Sequence, residues 1–259
     1  MPRALGPRLA LLAALLAGCA SGPAPADDDD ASGDPDGPWP GGAPAALSLA
    51  FDDGDASHLT HGVDLLEERG VAGTFFLTTA WVTDWDAWTA VASAGHELGS
   101  HTVVHPDLTS VSDTQLEDEL VASKAAIEAE TGASVRSIAY PFAAADGRVV
   151  EAARAYYDAG RLAHEGTPWN PAEPADPLQL VSTAPITTTT ASDLRAELAD
   201  AVAAGGWLIV QVHGIEDSAS GWEPVPRVVY EQLLDDALQQ DVWIAPLIEV
   251  VDHIEGRGR

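Results

Sequence analysis

The chain reads as an α/β domain around a mainly parallel sheet, on three observations. Strand-like and helix-like segments alternate from Ala45 onward. With 259 residues and 46% hydrophobic content, the chain can bury one domain-sized core and still carry appendages. No internal repeat breaks the alternation, and no second domain stands out from it.

Taken in order, short apolar runs predict strands at 46–51, 74–77, 96–98, 135–139, 179–183, 207–213 and 242–245. Helical stripes lie between them: Leu59, Val63 and Leu66; Leu116, Leu120 and Ile127; Val149, Ala153 and Tyr156; Leu194, Leu198 and Val202; and Val229, Leu233 and Ala237. Ser112, three residues before Gln115, is a capping signal that opens the second of these helices. In the first strand, Ala46, Ser48 and Ala50 share a face with Asp52, while Leu47, Leu49 and Phe51 take the other. Small side chains on one face suit the narrowing interior of a barrel. In 207–213, Gln211 and His213 share a face opposite Leu208, Val210 and Val212. A polar pair at the C-terminal end of an apolar strand lies where barrel enzymes carry catalytic groups.

The N-terminal segment follows a different logic. Arg3 and Arg8 accompany an apolar stretch, 9–16, that is too short to span a bilayer and reads as a targeting signal. It ends in Leu16-Ala17-Gly18-Cys19, which resembles the lipobox of bacterial lipoproteins, whose cysteine is lipidated and becomes the first mature residue. Cys19 is the only cysteine, so no internal disulfide forms. Residues 1–18 are expected to be a lipoprotein signal peptide, 19–44 a tether and 45–259 the folded domain. The tether is rich in Pro, Gly, Ala, Ser and Asp, with a run from Asp27 to Asp30, and reads as a disordered, self-repelling spacer. The expected location is outside the cytoplasm, anchored to the bacterial cell membrane or outer membrane through lipid alone. A formal charge of −29 argues against nucleic acid and polyanionic substrates and favours a neutral or cationic glycan. The same acidic, lysine-poor surface also suits salty surroundings.

The chemistry concentrates in two short stretches. Asp52 and Asp53 close the first apolar strand ahead of Gly54, and His101 and His105 follow Gly99-Ser100. On one helical turn, residues four apart share a face and reach one ion; on a strand they would lie about 13 Å apart. Pro106 fits a helical turn ending at His105. Asp with two His makes a facial set for a divalent metal, leaving positions open for water and substrate.

The stretch from Gly95 to Leu108, GHELGSHTVVHPDL, resembles the second motif of the polysaccharide deacetylases, the NodB-homology group or carbohydrate esterase family 4. Ser48-Leu49-Ala50-Phe51-Asp52-Asp53-Gly54 resembles its first motif and Ala72 to Leu77 the strand that follows, and the likeness runs from about Ala45 to His253. The resemblance implies a distorted (β/α) barrel of about seven strands. It also implies hydrolysis of N- or O-linked acetyl groups on a cell-envelope or extracellular polysaccharide, by water activated at a divalent metal, typically zinc. Carried over, Asp53, His101 and His105 are the metal ligands, Asp52 the general base and His213 the general acid that closes the fifth motif. Ala139-Tyr140-Pro141-Phe142-Ala143 occupies the place of the third motif, so Tyr140, Pro141 and Phe142 are expected beside the substrate, with a backbone N–H near Phe142 sharing the oxyanion. Ala139 stands where the family often has the arginine that braces the catalytic Asp. The fourth motif has only Asp176 and Trp169 as candidates, and Trp222 is a candidate for stacking on a sugar face. The two weakened motifs keep open a second reading, a glycan-binding lipoprotein on the same scaffold.

Overall fold

Strand β1, Ala46–Phe51, is buried along its whole length and shows why the sheet curls. Its small residues Ala46 and Ala50 pack inward with Trp207 and Ile209, while Leu47, Leu49 and Phe51 face the surrounding helices. The computed structural model, described for residues 37–163, 166–215 and 224–257, continues with a π-helical turn at His58–Gly62 that runs into α1, Val63–Glu67. There follow β2 (Thr74–Leu77), α2 (Trp85–Ser93), β3 (Glu97–Ser100), α3 (Asp113–Thr131), β4 (Ser137–Ala139) and α4 (Gly147–Ala153). Then come β5 (Ala159–Ala163), β6 (Trp169–Asn170), β7 (Leu180–Ser182), α5 (Ala191–Ala204), β8 (Trp207–Val212), α6 (Arg227–Gln239), β9 (Trp243–Ile244) and α7 (Leu247–Ile254).

The strand order is β6-β8-β1-β2-β3-β4-β5-β7, with β9 beside β1. Every pairing is parallel except β6 with β8. Closure comes just past β7, where Thr183 N–H donates to Ile209 O and Gln211 N–H donates to Thr183 O, each at 2.9 Å. The result is a nearly closed (β/α) barrel, as expected. All seven predicted strand segments fall on strands, and the five helical stripes fall on α1, α3, α4, α5 and α6 or their flanking turns. Ser112 Oγ accepts from Gln115 N–H, as its spacing predicts. Two strands, β5 and β6, and two helices, α2 and α7, go beyond the sequence reading.

Helix α7 determines which end of the barrel is available for chemistry. Leu247, Val250 and Val251 plug the end where the strands begin. The Glu97 carboxylate, buried at the start of β3, accepts from Thr74 Oγ1 and from Ile248 N–H at 2.8 and 2.9 Å, and also from Ser137 Oγ. A carboxylate facing the first turn of α7 suits the free N–H groups and dipole of a helix start. Burial still pushes the Glu97 pKa up. The carboxylates and histidines singled out in the sequence gather at the opposite end, where the strands finish.

Two glycines test this packing. A Cβ at Gly160 would lie 2.8 Å from Leu178 O and 2.5 Å from the Tyr140 hydroxyl oxygen, so Gly160→Ala should destabilise by about 1–3 kcal/mol. Gly147, at the start of α4, has open space around it, and Gly147→Ala should stabilise by about 0.4–1 kcal/mol. Urea unfolding of both variants checks the contrast; equal effects would refute the packing argument.

Candidate active site

The adjacent carboxylates at the end of β1 diverge because the backbone turns between them. Asp52 N–H still donates to Val212 O at 2.9 Å, extending the β1–β8 pairing, whereas Asp53 adopts φ 74°. Asp52 is therefore directed into the barrel and Asp53 towards the two histidines. His101 follows β3 directly, its N–H donating to Leu77 O at 2.9 Å. Its Nδ1 lies 2.8 Å from Ala139 O; a carbonyl only accepts, so Nδ1 carries the proton and the Nε2 lone pair is free. Nε2 sits 3.5 Å from Asp53 Oδ1, and His105 Nε2 lies 3.7 Å from the same oxygen.

The predicted helical turn at 101–105 is not there. This stretch is a loop in which Thr102 and His105 both take left-handed backbone, with φ 67° and 59°. The loop satisfies its polar groups locally. Thr102 N–H donates to Ser100 Oγ, and His105 N–H to Thr102 Oγ1. The buried Glu119 carboxylate, reaching from α3, accepts from Val103 N–H at 2.7 Å and from Val104 N–H at 3.1 Å. Two reversals of direction bring the imidazoles together, with ring centroids 4.7 Å apart, so the histidines converge by a different route from the one predicted.

One ligand atom from each of Asp53, His101 and His105 lies within 4.8 Å of the others. Asp53 Oδ1 is buried with no hydrogen-bond partner. Burial and then the neighbouring Asp52 raise the Asp53 pKa to about 6. Burial lowers the His101 pKa to about 4 and also lowers that of His105, so both imidazoles are held neutral, the form that ligates metal. An orphaned carboxylate oxygen beside two neutral imidazoles fits a divalent cation of the zinc type.

Sequence reading left Asp52 without its arginine; β5 supplies one. Arg161, 1% exposed, places one guanidinium nitrogen 2.7 and 2.6 Å from the two oxygens of Asp52. The guanidinium is held in turn by Gln211 Oε1 and by Ser182 Oγ at 3.3 Å, and lies 5.4 Å above the Phe76 ring. Burial alone would raise the Asp52 pKa, but the Arg161 charge and hydrogen bond, together with His101 and His213, outweigh it and hold the carboxyl below its usual range. The signal for Arg161 was available: an arginine between Gly160 and Leu162 in an otherwise apolar segment needs a buried partner. Asp176 and Trp169 do not serve the site. Asp176 pairs with Arg154 and caps Leu178 N–H, while Trp169 packs against Gly206.

His213 follows β8 and faces the same cavity as Asp52 and the three metal-type ligands. A second histidine that the sequence reading passed over lies behind it. His58, fully buried in the π-helical turn, donates from Nε2 to His213 O at 2.9 Å, and Ser57 Oγ accepts from Ile215 N–H at 3.1 Å. Burial lowers the His58 pKa to about 4, so it serves as a neutral strut for the backbone that carries His213. The cavity measures about 410 Å³ and also takes in Trp81, Tyr140, Phe142 and Ala143. Phe142 is exposed at the rim with its ring edge-on to His105, centroids 4.7 Å apart. Tyr140 lines the wall, its hydroxyl committed to Leu178 O. Pro141, between them, is buried and does not itself line this cavity. Trp222 and Cys19 lie outside the described residues.

Comparison with known proteins agrees with this geometry. Residues 42–157 match the polysaccharide deacetylase family model. A chitooligosaccharide deacetylase of Rhizobium leguminosarum bv. trifolii is 40% identical over 83 residues, 31% of this chain and 39% of that protein. A gellan lyase of Bacillus sp. is 27% identical over 250 residues, 85% of this chain but 10% of that protein. The chain thus spans well under half the length of these relatives. Among solved structures, the Xyl-CE4 domain of a multidomain xylanase from the hindgut metagenome of Trinervitermes trinervoides shares the fold, with TM-score 0.59 and 19% identity over 82% of this chain and 91% of that one. The first part of the barrel, residues 42–157, is thus similar to the polysaccharide deacetylase family, and the whole barrel has the fold of a solved carbohydrate esterase family 4 domain.

Proposed function

We propose that the protein is a metal-dependent hydrolase that removes acetyl groups from a cell-envelope or extracellular polysaccharide. The observation that carries this reading is the convergence of Asp52, Asp53, His101, His105 and His213 on one cavity. Asp53, His101 and His105 would hold the cation, with zinc the metal best suited to one carboxylate and two imidazoles. When bound, the metal supplies Lewis acidity, activating water and polarising the acetyl carbonyl. Asp52 takes the proton from the attacking water. Arg161 keeps it ionised and fixes its orientation, so it is a proton acceptor at neutral pH. His213, steadied through its backbone by His58, gives a proton to the departing nitrogen or oxygen.

The chitooligosaccharide deacetylase among the relatives supports an N-linked acetyl group on an amino sugar. Two weakened motifs suggested a binding-only module, and Arg161 on β5 supplies the arginine that the third of the family's motifs lacks here. Lipidation at Cys19 and export to the bacterial envelope belong to the same reading and rest on the lipobox resemblance.

His101→Ala or His105→Ala should abolish tight zinc binding with the fold kept, read by calorimetry alongside circular dichroism; tight stoichiometric binding by either variant would overturn the ligand set. For the acid–base pair, Asp52→Asn and His213→Ala should each lower acetate release from an N-acetylated oligosaccharide by about 10²–10⁴-fold. His213→Ala should spare an activated acetate ester, whose leaving group departs without a proton. Unchanged amide hydrolysis in His213→Ala removes its role as acid. The protein should fractionate with membranes, and Cys19→Ser should release it or leave it unprocessed. A soluble wild type, cleaved elsewhere, counts against the anchor.

A further inference from the structure

We propose that the deep end of the catalytic cavity reads the acyl group, and that Gln211 selects an acyl chain with an oxygen on the carbon next to its carbonyl. A hydroxyacetyl amide is then preferred to an acyl amide of the same shape without that oxygen. This rests on the hydrolase reading of the site and refines it to the group that is removed.

Gln211, 6% exposed, pairs with Ala50 across β8 and β1 and lines the same cavity as Asp52 and His213. Its Oε1 accepts from the Arg161 guanidinium and, at 2.7 Å, from Ser182 Oγ. A guanidinium only donates, so the amide cannot be turned round and its NH2 group faces away from Arg161. That group finds no acceptor among the described residues and is left on the cavity side. Other buried polar groups on this lining are committed. Asp52 pairs with Arg161, His101 Nδ1 donates to Ala139 O, and the Tyr140 hydroxyl donates to Leu178 O. The Arg161 Nε–H shares the condition of Gln211, being buried with no partner.

Which part of a substrate meets these donors follows from the shape of an amide. Its reacting carbon bears an oxygen, a nitrogen and the acyl carbon. The oxygen belongs with Asp53, His101 and His105, where the cation would bind. The nitrogen carries the polymer, which a cavity of about 410 Å³ cannot enclose, so it points to the mouth, where Phe142 is exposed. The acyl carbon is left to point inward, towards Gln211. A methyl group pressed against an N–H without an acceptor strips water from it and returns no hydrogen bond. A hydroxyl oxygen in the same place accepts that bond.

The test places acetyl, hydroxyacetyl and propionyl groups on the same β-1,4-linked glucosamine trimer; the last two match in shape and differ by oxygen against methyl. The zinc-loaded full chain is assayed for release of free amine, and the metal-free chain is titrated calorimetrically with each trimer. Hydroxyacetyl should exceed propionyl by at least about tenfold in kcat/KM. Gln211→Met keeps the length of the side chain without its N–H groups, and should reduce that ratio to the intrinsic reactivity of the two amides. The ratio is decisive because a loosened Arg161 slows all three substrates alike. A wild type without the preference overturns the proposal whether or not the variant folds, and so does an unchanged ratio in Gln211→Met. Release from all three trimers without preference removes this inference and leaves the hydrolase reading intact. Release from none, with the hydroxyacetyl trimer bound most tightly by the metal-free chain, does the reverse, and neither release nor binding removes both.

Discussion

An ion pair at the centre of the barrel, Arg161 with Asp52, is the constraint on which the rest of the site depends. Both side chains are almost fully buried, at 1% and 2% exposed. Removing two charges from water costs several kcal/mol per ion, which only good geometry and further hydrogen bonds offset. Three strands meet that demand at once: β1 presents the carboxylate, β5 the guanidinium, and β8 the Gln211 oxygen that steadies it. The pair therefore fixes the register of β5 against strands far from it in sequence. It also explains the small residues along the inner face of β1, since larger ones would fill the space that the guanidinium needs.

The two ends of the barrel solve opposite problems. At the start of the strands, Glu97 is surrounded by donors and capped by α7, so its polarity is used up internally. At the far end, Asp53 keeps an orphaned oxygen, and two neutral imidazoles face it. One buried carboxylate is structural and the other is poised for a ligand, and the difference lies in what surrounds each rather than in residue type.

Much of this was legible in the sequence, for a physical reason. Period-two alternation places Leu47, Leu49 and Phe51 outside and Asp52 inside, and the structure agrees residue by residue. The motif around His101 and His105 identified the histidines that converge on Asp53. Spacing alone gave the wrong local shape, because a helical turn and a loop with two left-handed residues both bring positions four apart together. Arg161 and β5 were missed because a charge inside a short strand breaks the apolar pattern by which strands are recognised. Trp81 was missed because a lone tryptophan in a turn carries no periodicity; only the cavity around it gives it meaning.

Left-handed backbone is concentrated around this site. Of the six non-glycine residues with positive φ among those described, Asp53, Thr102, His105, Phe142 and Ala143 all border it, and only Asp241 lies elsewhere. Such conformations cost of order 1–3 kcal/mol each and persist only where the surroundings enforce them. The arrangement of donor atoms is thus a property of bent main chain as much as of side chains. Transplanting the Asp–His–His set onto another barrel by side-chain grafting alone would fail, because strand ends of ordinary geometry would aim the same three groups apart. A designer would have to carry over the turns, and with them the Glu119 carboxylate that holds one of those turns in place.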